Sequence, residues 1–198
     1  RMGPAIDERL ESAGFYPAGG GRFTVAIEPC RALARLSLLA RGATRLRARA
    51  LVASLPEKIA RRELSIVRDR LGLEREQCRA EVVEPAVGPG NVLMITIESD
   101  TVSEVVSGFG VKGVSAEKVA SDACDEAQAY LTAGVPVGIH LADQLLVPMA
   151  LAGGGTFRTL APTAHTLTNA GVIRRFLDVP VAVEREHDDV YRVDVGSP

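Results

Sequence analysis

The sequence lacks tryptophan altogether, and aromatic residues make up only 4% of its 198 positions. Proteins that bind single-stranded nucleic acid by base stacking need a platform of exposed aromatic rings, so we do not expect that mode of binding. A basic excess is also missing, because 23 lysines and arginines face 25 aspartates and glutamates, which gives a net charge of −2. Any contact with RNA would therefore depend on local clusters of positive charge.

Cysteines and long apolar runs are scarce as well. Cys30, Cys78 and Cys124 are odd in number and far apart, without a C-x-x-C spacing, which predicts free thiols in a reducing cytoplasm and no cysteine metal site. No apolar run approaches the roughly 18 residues that span a bilayer, and no signal peptide is visible, so we expect a cytoplasmic protein without a membrane partner. Because the chain opens with Arg1 and Met2, we expect a fragment, a processed chain or a chain with residues left over from cloning.

What is present, 46% hydrophobic and 24% charged residues, is typical of a soluble globular protein. Periodicity, caps and turn residues predict helices over residues 6–13, 56–71 and 116–131. They predict strands over residues 22–27, 32–40, 79–84 and 92–98, the last two as a hairpin, and a second hairpin over residues 179–184 and 190–195. This mixture indicates an α/β (α+β) fold.

Arginines alternate with apolar residues after position 40, at Arg41, Arg45, Arg47 and Arg49. Alternation at period two predicts a strand with one arginine face and one buried face. Such a face would either contact an RNA backbone or simply be solvated, and the spacing slightly favours the solvated face.

Residues 108–113 spell G-x-G-x-x-G, the pattern of a dinucleotide-binding turn. A dinucleotide site also needs a βαβ unit and an acidic residue about 20 positions later. The sequence around position 130 offers no such acid. We therefore interpret the pattern as a turn.

The most informative stretch is residues 138–176, which predicts a helix, a glycine turn at residues 153–155, a strand over residues 156–160 and a second helix after Pro162. In the first helix, His140, Asp143 and Gln144 are spaced i, i+3 and i+4, so they share one face. His165 falls at the start of the second helix. The positive end of the helix dipole disfavours an imidazolium there and attracts phosphate, so a neutral, nucleophilic imidazole is one interpretation. From spacing alone, a structural or solvated histidine is more frequent.

Three stretches together resemble the RNA 3′-terminal phosphate cyclase family, in the order in which that family carries them. They are residues 14–21 (GFYPAGGG), residues 110–117 (GVKGVSAE), and residues 138–152 (GIHLADQLLVPMALA) followed by residues 163–169 (TAHTLTN). The match runs through essentially the whole chain. It implies repeated β-α-β-α-β-β units that form a large domain, interrupted by a small inserted α/β domain. We therefore assign residues 1–40 and 135–198 to the large domain and residues 41–134 to the insertion.

The resemblance also implies a chemistry. In the family, a histidine at the position of His165 attacks the α-phosphorus of ATP, which gives a covalent histidine–AMP and pyrophosphate. AMP then passes to the 3′-terminal phosphate of RNA, and the neighbouring 2′-hydroxyl displaces it to leave a 2′,3′-cyclic phosphate. The implied partners are ATP, RNA with a 3′-terminal phosphate, and a divalent metal, Mg or Mn, that offsets triphosphate charge.

The nucleotide-holding stretch of the family corresponds to His140, Leu141, Ala142, Asp143 and Gln144. Asp143 and Gln144 would hydrogen-bond base or ribose edges, and the ring of His140 would stack on adenine, although many members carry tyrosine there. Without the family, Asp143 and Gln144 are more often plain surface residues.

One part of the family pattern is absent from this chain, namely the amino-terminal half with its glycine-rich stretch and phosphate-binding arginines. We therefore expect little or no cyclisation by this polypeptide alone, with the missing half as a partner. We expect Arg158, Arg174 and Arg175 to be solvated or peripheral rather than substitutes. Two alternatives stay open: a non-catalytic cyclase-like binding protein in ribosomal RNA processing, which would lack the nucleophile, and an enolpyruvyl transferase-like enzyme, for which no motif is visible.

Overall fold

A computed structural model describes residues 2–196 and has the mixed α/β class predicted from the sequence. Its strands are β1 (Ala5–Ser12), β2 (Arg22–Glu28), β3 (Leu36–Leu38), β4 (Thr44–Ala53), β5 (Cys78–Val83), β6 (Gly90–Ser99), β7 (Ser103–Phe109), β8 (Gly155–Thr159), β9 (Val181–His187) and β10 (Val190–Val195). Its helices are α1 (Lys58–Leu71), α2 (Ala116–Ala133), α3 (Ile139–Leu151) and α4 (Ala164–Phe176). None of these helices is both long and apolar enough to span a bilayer.

One body, which we call the small domain, consists of β4–β7 with α1 and α2 packed against their sheet. Its sheet order is β5-β4-β6-β7, so the hairpin predicted for residues 79–84 and 92–98 is wrong. Strand β4 ends in four consecutive buried residues and lies between β5, to which it is parallel, and β6, to which it is antiparallel. Strand β7 was not predicted, because its serines and Gly108 resemble a turn more than a strand.

Helix ends follow the capping residues of the sequence. Ser115 Oγ accepts a hydrogen bond from the N–H of Lys118 at 3.2 Å, which confirms the predicted start of α2. Gly72 and Gly134 end α1 and α2 with φ of 66° and 67°, a left-handed conformation that glycine adopts without steric cost. Helix α1 begins at Lys58, shortly after the predicted start at Pro56.

The helix predicted over residues 6–13 is wrong, since this segment is strand β1, paired antiparallel with β2. Ile6 and Leu10 are four positions apart, which mimics a helical stripe, but β2 supplies Ile27 and Phe23 as their cross-strand partners. These four side chains are between 60% and 64% exposed. The β1–β2 ribbon therefore presents an uncovered apolar face.

The other body, which we call the carboxy-terminal layer, has the element order β3-α3-β8-α4-β9-β10. Strand β3 is parallel to β8, and β10 lies antiparallel between β8 and β9, which confirms the second predicted hairpin. The strand predicted over residues 32–40 shortens to β3. Helices α3 and α4 pack on this sheet around a buried core of Leu146, Met149, Phe157, Ile173 and Val193. The small domain lies between β3 and α3 in sequence, so the amino end of α3 is where the two bodies meet.

Candidate functional site

The two helices that carry the predicted site residues are joined by one side chain. Asn169 of α4 donates from Nδ2 to the backbone oxygen of Asp143 at 3.2 Å and to its Oδ1 at 3.0 Å. Asp143 and Asn169 are both partly buried. The link holds the nucleotide-binding segment predicted on α3 against the helix that carries His165 in its first turn.

His165 lies in the first turn of α4, which confirms its predicted position at a helix start. Thr163 is the N-cap, and its Oγ1 accepts a hydrogen bond from the N–H of Thr166 at 3.3 Å. The side chain of His165 is exposed and lies one turn before Asn169, on the same side of α4. Unpaired N–H groups in a first helical turn attract anions. The site therefore combines an accessible imidazole with a backbone that favours phosphate.

The five predicted nucleotide-binding residues differ in exposure. His140 and Gln144 are exposed, and because they are four positions apart they share one face of α3. Ala142 is buried and Leu141 packs against the core of the carboxy-terminal layer, so both offer a ligand mainly their backbone atoms. Asp143 holds Asn169. The side chains of this segment most accessible to a bound nucleotide are thus those of His140 and Gln144.

Two carboxylates of the small domain approach the amino end of α3, and sequence reasoning missed both. Glu126 Oε1 lies 3.4 Å from His140 Nε2. Glu104 Oε1 accepts a hydrogen bond from the N–H of Gly138 at 2.6 Å. Burial raises the pKa of Glu104, an effect that the Gly138 hydrogen bond and His140 oppose. No local sequence signal marks Glu104, because it lies on the unpredicted strand β7.

A small cavity opens beside these carboxylates, between β7, α2 and the start of α3. Tyr130 lines it, and its hydroxyl donates to the backbone oxygen of Pro136 at 3.0 Å. Burial raises the pKa of Tyr130 to about 12, so this hydroxyl stays a hydrogen-bond donor at physiological pH. The contact fixes the segment that leads from α2 to α3.

The candidate arginines are held by the protein itself. Arg158 donates to the backbone oxygen of Leu39 at 3.0 Å and to Glu186 at 2.6 Å, and Arg174 donates to the backbone oxygen of Val181. The arginine face predicted on β4 exists at Arg45, Arg47 and Arg49. Arg41, predicted to belong to it, precedes β4 and donates to the backbone oxygens of Tyr130 and Leu131 at the end of α2. Arg47 pairs with Glu98 and Arg49 pairs with Glu81. This pairing favours a solvated, charge-balanced face over an RNA contact at these arginines.

The described residues, 2–196, contain no cluster of side chains that could bind a divalent metal. Within residues 2–196, no group of three or more histidine, cysteine, aspartate or glutamate side chains converges in a geometry that could hold a metal ion. Cys30, Cys78 and Cys124 are unpaired, as predicted. The residues described therefore do not fit a resident metal centre.

Sequence comparison gives a consistent result over nearly the whole chain. The profile of the family described as RNA 3′-terminal phosphate cyclase matches residues 1–183. The chain is 44% identical over 188 residues to an RNA 3′-terminal phosphate cyclase of Koribacter versatilis, covering 94% of the chain and 53% of the relative. It is 45% identical over 194 residues to one of Pseudomonas fluorescens, covering 98% and 56%. The chain thus spans just over half the length of these curated relatives.

Proposed function

The chain belongs to the RNA 3′-terminal phosphate cyclase family, and we propose that it carries the nucleotide-binding helix and the nucleophile of an ATP-dependent cyclase. The reaction would convert an RNA 3′-terminal phosphate to a 2′,3′-cyclic phosphate in the cytoplasm, with ATP consumed to AMP and pyrophosphate. The observation that supports this proposal best is the hydrogen bond from Asn169 to Asp143. It joins the helices that carry the two motifs into one site.

In the first step, a ring nitrogen of His165 attacks the α-phosphorus of ATP with its lone pair. The new N–P bond forms as the bond from this phosphorus to the bridging oxygen breaks, and pyrophosphate leaves with that electron pair. The amino end of α4 attracts the anionic phosphate, and the exposed imidazole is free to reach it. A covalent intermediate of this kind divides one difficult transfer into two easier ones.

In the second step, an oxygen of the RNA 3′-phosphate attacks the phosphorus of the histidine-bound AMP, and the N–P electron pair returns to the ring of His165. The neighbouring 2′-hydroxyl then attacks the 3′-phosphorus, loses its proton and displaces AMP. The ring of His140 would stack on adenine, while Gln144 and the carboxylate oxygen of Asp143 that does not accept from Asn169 would hydrogen-bond base or ribose edges. Mg or Mn would accompany the triphosphate, and we assign it no step because the described residues offer no ligand cluster for it.

The proposal can be tested with α-labelled ATP and a divalent metal, followed by denaturation and peptide mapping. We expect acid-labile, alkali-stable AMP on the peptide that contains His165, because a phosphoramidate bond has this stability. Absence of label from the chain alone would mean either that the missing amino-terminal half is required or that the chain is the alternative, a non-catalytic cyclase-like binding protein. Label that appears when that half is added would support the first, and continued absence would support the second.

We propose that the site is completed by protein outside this chain. Residues 1–40 and 135–198 would share the large domain, with residues 41–134 as the insertion, and the remaining length of the relatives would supply the arginines that bind phosphate. The uncovered face of the β1–β2 ribbon, formed by Ile6, Leu10, Phe23 and Ile27, is the surface we expect that part to cover, since exposed apolar patches of this kind mark interaction sites.

The purified 198-residue chain is accordingly expected to show little or no cyclisation of a synthetic RNA that ends in a 3′-phosphate. Adding the amino-terminal half of a close relative should raise turnover, because it restores phosphate-binding groups. Resistance of the labelled RNA end to phosphatase measures the cyclic product. Full turnover by the chain alone would contradict this prediction.

Replacing Asn169 with alanine should slow adenylylation by roughly tenfold, because it removes two hydrogen bonds that align α4 with α3. Stability should fall by only about 1 kcal/mol. Thr168→Ala is the matched control, since Thr168 is an exposed neighbour on the same helix. Equal labelling rates for the two variants would show that this link does not align the site.

A further inference from the structure

We propose that Glu104 of the small domain is a positioning residue for nucleotide binding, which fixes the amino end of α3 and thereby the segment of residues 140–144. The consequence for nucleotide binding rests on the proposed function. The contact itself, between a side chain of one body and the backbone of the other, can be tested independently of any nucleotide.

The contact replaces a missing helix cap. Gly138 is the N-cap residue of α3 and has no side chain with which to cap it. Its N–H instead donates to Glu104 Oε1 at 2.6 Å, from a strand 34 positions earlier in sequence. A carboxylate at a helix amino end is favoured by the unpaired N–H groups and by the helix dipole. Glu104 therefore caps α3 with a side chain of another element, whereas an ordinary N-cap uses the side chain of the N-cap residue itself.

The fit at this point is close enough to specify glycine. A Cβ added at Gly138 would lie 2.9 Å from both Cδ and Oε2 of Glu104, which is closer than carbon and carboxylate atoms approach without displacement. The backbone of Gly138 has φ of −76°, which any residue adopts, so its conformation does not require glycine. Glycine is required instead by the close approach of the carboxylate, which leaves no room for a Cβ.

Neighbouring groups strengthen the same junction. Glu126 Oε1 lies 3.4 Å from Nε2 of His140, so the small domain contacts both the residue before α3 and a ring at its start. Burial raises the pKa of Glu104, and the hydrogen bond from the N–H of Gly138 opposes this shift, so the contact offsets part of the cost of burying the carboxyl group. The anion-attracting end of α3 is thus occupied by a protein carboxylate, and a bound nucleotide would meet the helix along its exposed His140–Gln144 face.

The experiment compares Glu104→Ala, Glu104→Gln and Gly138→Ala with the unmodified chain. Glu117→Ala is the matched control, because Glu117 is a carboxylate of the same domain that pairs with Arg62 at 2.7 Å, away from α3. Two quantities are measured: hydrogen exchange of the backbone amides at residues 138–142, and the Kd for ATP. A variant that merely loses folded protein lowers the number of binding sites but leaves the Kd of the folded fraction unchanged, so the Kd separates positioning from stability.

We expect Glu104→Ala and Gly138→Ala each to speed exchange at residues 138–142 and to raise the Kd for ATP by about tenfold, the typical value of a hydrogen bond to a charged group. Glu104→Gln keeps an acceptor oxygen and should stay within about threefold of the unmodified chain. The double variant should be no worse than either single change, since both break one contact.

Unchanged exchange in both Glu104→Ala and Gly138→Ala would overturn the positioning role, whatever the nucleotide result. Faster exchange with an unchanged Kd would overturn its consequence for nucleotide binding. If the unmodified chain bound no ATP, the proposed function of this chain would fail, while the exchange comparison would still decide whether Glu104 fixes α3.

Discussion

His165→Ala is expected to abolish covalent labelling by α-labelled ATP, to below about a thousandth of the unmodified rate. The chain contains three histidines, His140, His165 and His187. His140 and His165 both lie exposed in the first turn of a helix. The amino end of α3 is occupied by the carboxyl group of Glu104, whereas that of α4 is capped by the neutral side chain of Thr163 and remains open to an anion. Alanine has no lone pair with which to form the N–P bond. The remaining groups of the site would still bind ATP but cannot accept AMP.

His187→Ala is the matched control, because His187 is exposed at the end of β9 beside the hairpin turn. Its labelling should equal that of the unmodified chain. His140→Ala should retain labelling at saturating ATP and lose it at low ATP, since a stacking ring contributes to binding rather than to bond formation. Label that persists in His165→Ala, or that maps to the peptide of His140, would contradict the assignment of the nucleophile.

Local signals in the sequence were sufficient for much of the fold. Helix α2 begins after Ser115 and ends at Gly134, as predicted, and the alternating arginines identify β4. The errors lie where pairing between strands that are distant in sequence decides the structure. Ile6 and Leu10 have helical spacing and become a strand only because Phe23 and Ile27 lie opposite them. The hairpin of β5 with β6 fails because β4 lies between them, which no local pattern reveals.

The candidate site shows the same division. His165 and the residues from His140 to Gln144 were found because they are contiguous motifs. The contact from Gly138 to Glu104 was not found, because the two residues are 34 positions apart and Glu104 lies on a strand that was not predicted. The link from Asn169 to Asp143 likewise depends on the packing of two helices. Motifs therefore predict the groups that would contact substrate, and only the fold shows which groups hold those residues in place.

Glu63→Gln is expected to stabilise the chain at pH 7 by about 1–3 kcal/mol, the order of a desolvation penalty, because an amide carries no charge that burial would disfavour. Glu63 lies on α1, fully buried in the small domain. Asn91 Nδ2 donates to its Oε2 at 2.9 Å, while Oε1 has no partner among the described residues. Burial raises the pKa of Glu63, and the Asn91 hydrogen bond only partly opposes this.

The sign of the pH dependence follows from this shift. Above the ordinary carboxyl value of 4.5, the unfolded chain releases the proton of Glu63 while the folded chain retains it, so the folded state binds more protons and its stability falls as pH rises. Below that value both states are protonated and the penalty disappears. The advantage of Glu63→Gln should therefore be small at pH 4 and grow by up to about 1.4 kcal/mol per pH unit above pH 4.5, until the folded chain also ionises. Urea unfolding at several pH values measures it. Ser65→Ala, at an exposed position of the same helix that carries no titratable group, is the control and should show no such trend. A Glu63→Gln advantage that does not change with pH would mean that the buried carboxyl does not titrate differently in the folded chain.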